Sequence, residues 1–486
     1  MRLVKYALSL LLIACILIPP ISLSAAEIDA TDEAKEYTDI CVFSTTEGSA
    51  SKLQDNNFRT KLEFKSGGTV TLECEEDIYS LYVIWDNIPG VWRLQAESTP
   101  YSCGQHGFIH EYIRCRGAST LTIEVPEGAT ICDVRVFGKG EAPRDVQIWS
   151  DPCEKADLLL IPSHADDEHL YFGGTMPYYA GELGYAVQVA YFTNHWAEPR
   201  RPHELLNGLW TVGITHYPVI SPYPDKATFD LESAKKIYNE EEMLGYIVEL
   251  MRRFKPDVVI GHDLKGEYGH GAHMLSAELI CRAVDGVVQD ENMYPESAAK
   301  YGVWDVPKTY IHKLADNAIY MDWDKPLENF GGRTAFEMAK EGYACHVSQH
   351  GFDIAVTKYG TASCIWFGLY RSTVGPDTLE DPDFLENIPK KEETTEPETT
   401  LPEETEPETT EQESTEADVT EPGTTIAPVT ETSPSESEDH GQSTSAAETD
   451  GDGGEGENGA SALWLIPVIL IALLPVMIII FKRSRG

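Results

Sequence analysis

Three apolar or nearly apolar stretches set the strongest limit on what this chain can fold into. They are Leu158-Leu159-Leu160-Ile161, the largely apolar segment 185–192, and Val258-Val259-Ile260 after Asp257. A strand that is apolar at every position is buried on both faces, which is the habit of parallel sheets covered by helices. Helical patterns lie between these runs, around 204–212 and 239–254. Buried strands alternating with amphipathic helices predict an α/β domain with a mainly parallel sheet over 151–378. Ligands of such sheets bind beyond the carboxyl ends of the strands.

The N-terminal third reads differently. Short period-2 segments at 69–74, 80–85, 121–125 and 131–137 are separated by turns such as Ser66-Gly67-Gly68. That pattern predicts a small all-β sandwich over 27–150. Residues 392–461 hold 22 Asp or Glu, no Lys or Arg and no aromatic residue. Such a segment cannot build a core and stays extended, so 379–461 reads as a disordered Thr/Glu/Pro-rich stalk. The formal charge of −43 excludes the basic footprint of a nucleic-acid binder.

The two ends suggest a compartment. Arg2 and Lys5, an apolar run and Ser24-Ala25-Ala26 have the order of a secretory signal over 1–26. Residues 462–481 are uncharged and long enough to cross a bilayer, and Lys482-Arg483-Ser484-Arg485 follows as a basic cytoplasmic tail, 482–486. The expectation is a single-pass protein of the cell membrane with the bulk of the chain outside. Cysteines in that compartment form disulfides, but six between Cys41 and Cys153 allow fifteen pairings.

The chemistry follows two strand ends. After the first run comes Ser163-His164-Ala165-Asp166-Asp167-Glu168. After the third come Gly261-His262-Asp263 and Tyr268-Gly269-His270-Gly271-Ala272-His273. Three N/O ligands and a water make the common catalytic zinc arrangement, with an unliganded carboxylate beside it as base. An Asp pair at a helix start could instead be simple capping. Two such clusters at corresponding strand ends, over 100 residues apart, favour the metal reading.

At these motifs the sequence resembles the LmbE-like, or PIG-L-type, zinc de-N-acetylases. The matching segments are 163–168, Tyr268 to His273, Arg201 to Glu204, and His346-Val347-Ser348-Gln349. The resemblance implies a Rossmann-like domain that hydrolyses the acetamide of an N-acetylglucosamine-type sugar or glycan, with one zinc ion per chain. It implies His164, Asp167 and His273 as zinc ligands and Asp166 as general base. It also implies His270 as the group assisting the leaving amine or the charged intermediate, Tyr268 as the group polarising the acetyl carbonyl, and Arg201 as a substrate contact. Glu204 would be the structural partner of Arg201. Ala272 stands where the family has aspartate, which raises an alternative: a surface glycan-binding or adhesive protein with a weakly active or inactive zinc site. His169, His195, His203, His312 and His350 lack a motif partner and read as ordinary polar residues.

Overall fold

The computed structural model describes residues 32–378 and 380–389. The expected signal, nearly all of the stalk, the membrane segment and the basic tail lie outside the described residues. Among the described residues, no helix is long and apolar enough to cross a membrane.

The N-terminal part is one antiparallel sheet of seven strands: β1 (Val42–Thr45), β2 (Leu62–Phe64), β3 (Gly68–Trp85), β4 (Trp92–Ala96), β5 (Thr99–Cys103), β6 (His110–Val125) and β7 (Ala129–Phe137). Their order is β2-β7-β3-β6-β4-β5, with β1 also on β3. The acidic run Glu75-Glu76-Asp77, which reads as a turn, lies inside β3. The chain takes it as a shift of register against β6 between Glu73 and Ser80. A bulge of this kind bends a strand without ending it, so two predicted short strands are one long bent strand. Leu81, Val83 and Trp85 fill one face, and Tyr82 and Ile84 are covered on the other. Cys41 and Cys74 are joined by a disulfide.

A second seven-stranded sheet contains β8 (Leu158–Leu160), β9 (Val187–Tyr191), β10 (Val219–Ile220), β11 (Val258–Gly261), β12 (Lys308–His312), β13 (Ala318–Tyr320) and β14 (Trp366–Ser372). The order is β10-β9-β8-β11-β12-β14-β13. The first four pairings are parallel, while β14 runs antiparallel to both β12 and β13. The sheet is therefore mixed, with its antiparallel part at one edge. Its helices are α1 (Asp167–Leu170), α2 (Arg201–Thr211), α3 (Leu231–Ile237), α4 (Glu240–Phe254), α5 (Gly266–Gly269), α6 (Gly271–Arg282), α7 (Pro295–Tyr301) and α8 (Ala335–Ala344). The chain leaves β8 towards β9 on one side and later returns as β11 on the other. That reversal opens a crevice at the carboxyl ends of β8 and β11.

The two sheets share one apolar cluster that includes Trp85, Leu94, Trp149, Leu158 and Tyr191. A ring stack and a polar contact also join them. Phe108 stacks on Tyr217 with ring centroids 4.5 Å apart, and His110 Nε2 lies 2.8 Å from His203 Nδ1 on α2.

Candidate active site

The crevice is built from the two strand ends. Ser163, just beyond β8, donates its N–H to His262 Nε2 just beyond β11, at 2.9 Å. Asp166 adopts φ +142° and ψ −27°, a conformation that L side chains rarely take. Such backbone costs about 1–3 kcal/mol and persists only when its surroundings hold it. Here the hold is local and polar: the Asp166 N–H donates to Glu168 Oε2 at 2.9 Å, and Arg201 Nη2 donates to the Ala165 carbonyl at 2.5 Å.

This turn brings together the three residues that the motifs imply as ligands. His164 Nδ1 is 3.0 Å from Asp167 Oδ2, His273 Nε2 is 3.0 Å from His164 Nδ1, and His273 Nε2 is 3.2 Å from Asp167 Oδ2. Zinc bonds of about 2.0–2.2 Å in a tetrahedral shell put neighbouring ligand atoms about 3.3 Å apart. The triangle has that size, and its donor set of two imidazoles and a carboxylate suits zinc. All three side chains are buried, so their fit to a cation does not depend on mobile surface groups.

One carboxylate, not anticipated from the sequence, orients the imidazoles. Glu267 sits in α5 at φ +53° and is buried. Its Oε2 accepts from His273 Nδ1 at 2.6 Å. Its Oε1 accepts from His262 Nδ1 at 3.0 Å, the Asp263 N–H at 2.9 Å and His312 Nδ1 at 2.8 Å. With Nδ1 of His273 committed as a donor, Nε2 is left as the lone pair facing the triangle, the usual arrangement behind a metal-binding histidine. Burial alone would push the Glu267 carboxyl up, but its contacts and hydrogen bonds with the imidazoles of His262 and His273 outweigh it and hold it well below the carboxylate range.

A cavity of about 160 Å³ opens over the triangle, lined by His164, Asp166, Asp167, Arg201, Tyr268 and His270 among others. Burial and the adjacent Asp167 carboxylate push the Asp166 carboxyl up to about 7, against the opposing charge of Arg201. Asp167 goes the other way: burial would raise it, yet His273, His164 and His262 keep it well below the usual range. Burial and the neighbouring His164 and His273 push His270 down to about 3, so its imidazole is neutral at pH 7. Its ring lies 4.6 Å from those of both His164 and His273, and its Nδ1 is buried without a partner. Tyr268 is 60% exposed at the mouth.

Other residues stand where the motifs alone did not put them. Glu204 bonds not Arg201 but Ser348, accepting from its N–H at 2.9 Å and its hydroxyl at 2.5 Å. Asp225, another cavity-lining carboxylate, lies 3.4 Å from His164 Nε2 and 3.5 Å from His195 Nε2. Of the histidines without a motif partner, His169, His195, His203 and His312 are all buried. Ala272 is fully buried in a second apolar cluster with Leu275 and Leu279, its N–H bonded to Thr228 Oγ1 at 2.8 Å. The exchange of aspartate for alanine at this position thus belongs to an apolar site.

Residues 159–284 match the model of the PIG-L family, described as GlcNAc-PI de-N-acetylase. The match contains the Asp pair, Arg201 and the second histidine cluster, so the resemblance carried by the motifs extends through the segment that builds the crevice. The 1D-myo-inositol 2-acetamido-2-deoxy-alpha-D-glucopyranoside deacetylase 1 of Catenulispora acidiphila is 26% identical over 35% of this chain and 59% of its own length. The corresponding deacetylase of Streptomyces scabiei is 23% identical over 37% of this chain and 64% of its own length. The chain thus spans less than two thirds of these relatives. Among solved structures, the N,N'-diacetylchitobiose deacetylase from Pyrococcus horikoshii aligns at 17% identity and a TM-score of 0.30, over 41% of this chain and 72% of that one.

Proposed function

We propose that this chain is a zinc-dependent de-N-acetylase that hydrolyses the acetamide of an N-acetylglucosamine-type sugar. We read the mixed sheet, from its strand order, as Rossmann-like. The observation that carries the reading is the ligand-sized triangle of His164, Asp167 and His273 beside a carboxylate of raised pKa, inside a segment matching a de-N-acetylase family.

In this reading His164 Nδ1, Asp167 Oδ2 and His273 Nε2 hold the zinc ion. Zinc supplies Lewis acidity there, acidifying water and polarising a carbonyl. The chain's own residues carry the protons. Asp166, its carboxyl near the working pH, accepts one from the water that attacks the acetyl carbon, and Arg201 holds that carboxylate in place. Tyr268 and the neutral His270 direct donors at the acetyl oxygen as charge develops on it. Asp166 then returns its proton to the amine nitrogen as the C–N bond breaks, giving acetate and a free amino sugar.

The place of action proposed is the outer face of the cell membrane; the two terminal segments of the sequence support it. Acetate release from chitooligosaccharides and from glucosaminyl-inositol N-acetyl conjugates, with and without a chelator, tests the activity. Chelator-sensitive release that Asp166→Asn abolishes is the expected result. Absence of release from every N-acetylated sugar by the zinc-loaded protein would overturn it.

A further inference from the structure

We propose a second zinc site, made by Glu168, His169 and His346 and buried behind the first. Glu168 Oε1 lies 3.4 Å from His169 Nε2 and 3.2 Å from His346 Nε2. Neither contact has hydrogen-bond alignment, and both have the edge length of a tetrahedral zinc shell, about 3.3 Å. The three ligand atoms all lie within 4.8 Å of one another.

Burial makes this cluster hard to explain without an ion. All three residues are fully buried. Neither Glu168 Oε1 nor any of the four imidazole nitrogens of His169 and His346 has an aligned hydrogen bond, although His346 and the Tyr191 hydroxyl neighbour the carboxylate. A neutral imidazole always carries one N–H and one lone pair, and each buried group left unmade costs about 1–3 kcal/mol. One divalent cation takes both Nε2 lone pairs and the free carboxylate oxygen at once. Two imidazoles with one carboxylate is a zinc donor set, and a dry, closed pocket suits a structural ion over a catalytic one.

The surroundings leave room for it. The Cβ of an alanine at Gly208, on α2, would fall 2.7 Å from His169 Nε2 and 2.9 Å from His346 Nε2. Glycine at that helical position keeps open the space into which both nitrogens look. Gly342 on α8 likewise makes way for the His169 ring. Glu168 Oε2 is already committed to the Asp166 N–H, at 2.9 Å, which fixes Oε1 as the free donor. An ion on Oε1 would therefore also brace the strained turn at Asp166.

Metal content decides the matter, and it is independent of acetate release. The full chain, loaded with zinc and dialysed free of excess, should carry two ions per chain by mass spectrometry of the metal. His273→Ala should lose the first and keep one. Gly208→Ala, which adds one methyl to the cradle and touches no ligand of the first site, should also keep one, as should His169→Gln. A wild-type chain with one ion together with a His273→Ala chain with none would overturn the proposal. Two ions retained in both Gly208→Ala and His169→Gln would overturn it equally. If those variants do not fold, the His273→Ala count stands as the test.

Discussion

Replacing Glu267 by glutamine is the sharpest probe of how the histidines are held. The side chain keeps its length, loses its charge and exchanges one acceptor oxygen for an NH₂ donor. The native carboxylate accepts four bonds: three from imidazole Nδ1–H groups and one from the Asp263 N–H. Glutamine can accept only at its single oxygen. Its NH₂ would meet another donor, and the group at greatest risk is His273, whose Nδ1 lies 2.6 Å from Oε2. To avoid a donor–donor clash, His273 must move its proton to Nε2, the atom that belongs to the triangle. Loss of partners behind a metal-binding histidine costs about 10–100-fold in metal affinity, and a bond to a charged group contributes about 1.5–3 kcal/mol to stability. We expect zinc affinity, measured by competition with a calibrated chelator, to fall 10–100-fold. Chemical denaturation should show a loss of about 1.5–6 kcal/mol, one to two such bonds. An affinity within twofold of wild type, in a folded variant, would refute the orienting role of Glu267.

Three further outcomes follow from the geometry. Asp166→Asn should retain zinc at the first site and lose about 10²–10⁴-fold in turnover, the usual worth of a general base; equal metal loss in Asp166→Asn and Asp167→Asn would dissolve the division of labour between them. Asp167→Asn should instead weaken zinc binding, read by the same chelator competition, because a neutral amide replaces an anionic ligand. His203 gives a pH signature: burial holds its folded pKa down to about 4, below the value of about 6.5 in an unfolded chain. Its contribution is thus intact above pH 6.5 and lost as pH falls towards 4, about 3 kcal/mol in all. His203→Gln should flatten the fall in melting temperature between pH 7 and 4.5, and parallel curves for the two proteins would count against the assignment.

How much of this was legible in the sequence depended on whether polarity told the truth locally. The runs at 158–161 and 258–260 became β8 and β11 because no polar side chain interrupts them. β12 was hidden, since Lys308 and His312 open and close it, and both are buried. Each has a distant partner: Lys308 Nζ bonds Asp377 at 2.7 Å, and His312 bonds Glu267. The same applies at the site. His164, Asp166, Asp167, His270 and His273 lie in two short contiguous motifs, so reading the segments found them. Glu267 stands between Gly266 and Tyr268 in what reads as a surface turn, and only the fold brings its three imidazoles around it. Asp225 has no local sign at all, because what defines it is its approach to His164 and His195.

The first turn of α2 makes contacts in three directions. Arg201 reaches the Ala165 carbonyl, His203 reaches His110 in the antiparallel sheet, and Glu204 reaches Ser348. Three residues within one turn therefore fasten together the loop of the Asp pair, the N-terminal sheet and the C-terminal motif. The N-terminal sheet cannot be treated as a cassette clipped onto an independent α/β domain. A replacement sheet would have to offer His203 a hydrogen-bonding partner where His110 stands. Recombination between related genes should accordingly keep strand β6 and helix α2 on the same parental side of a crossover.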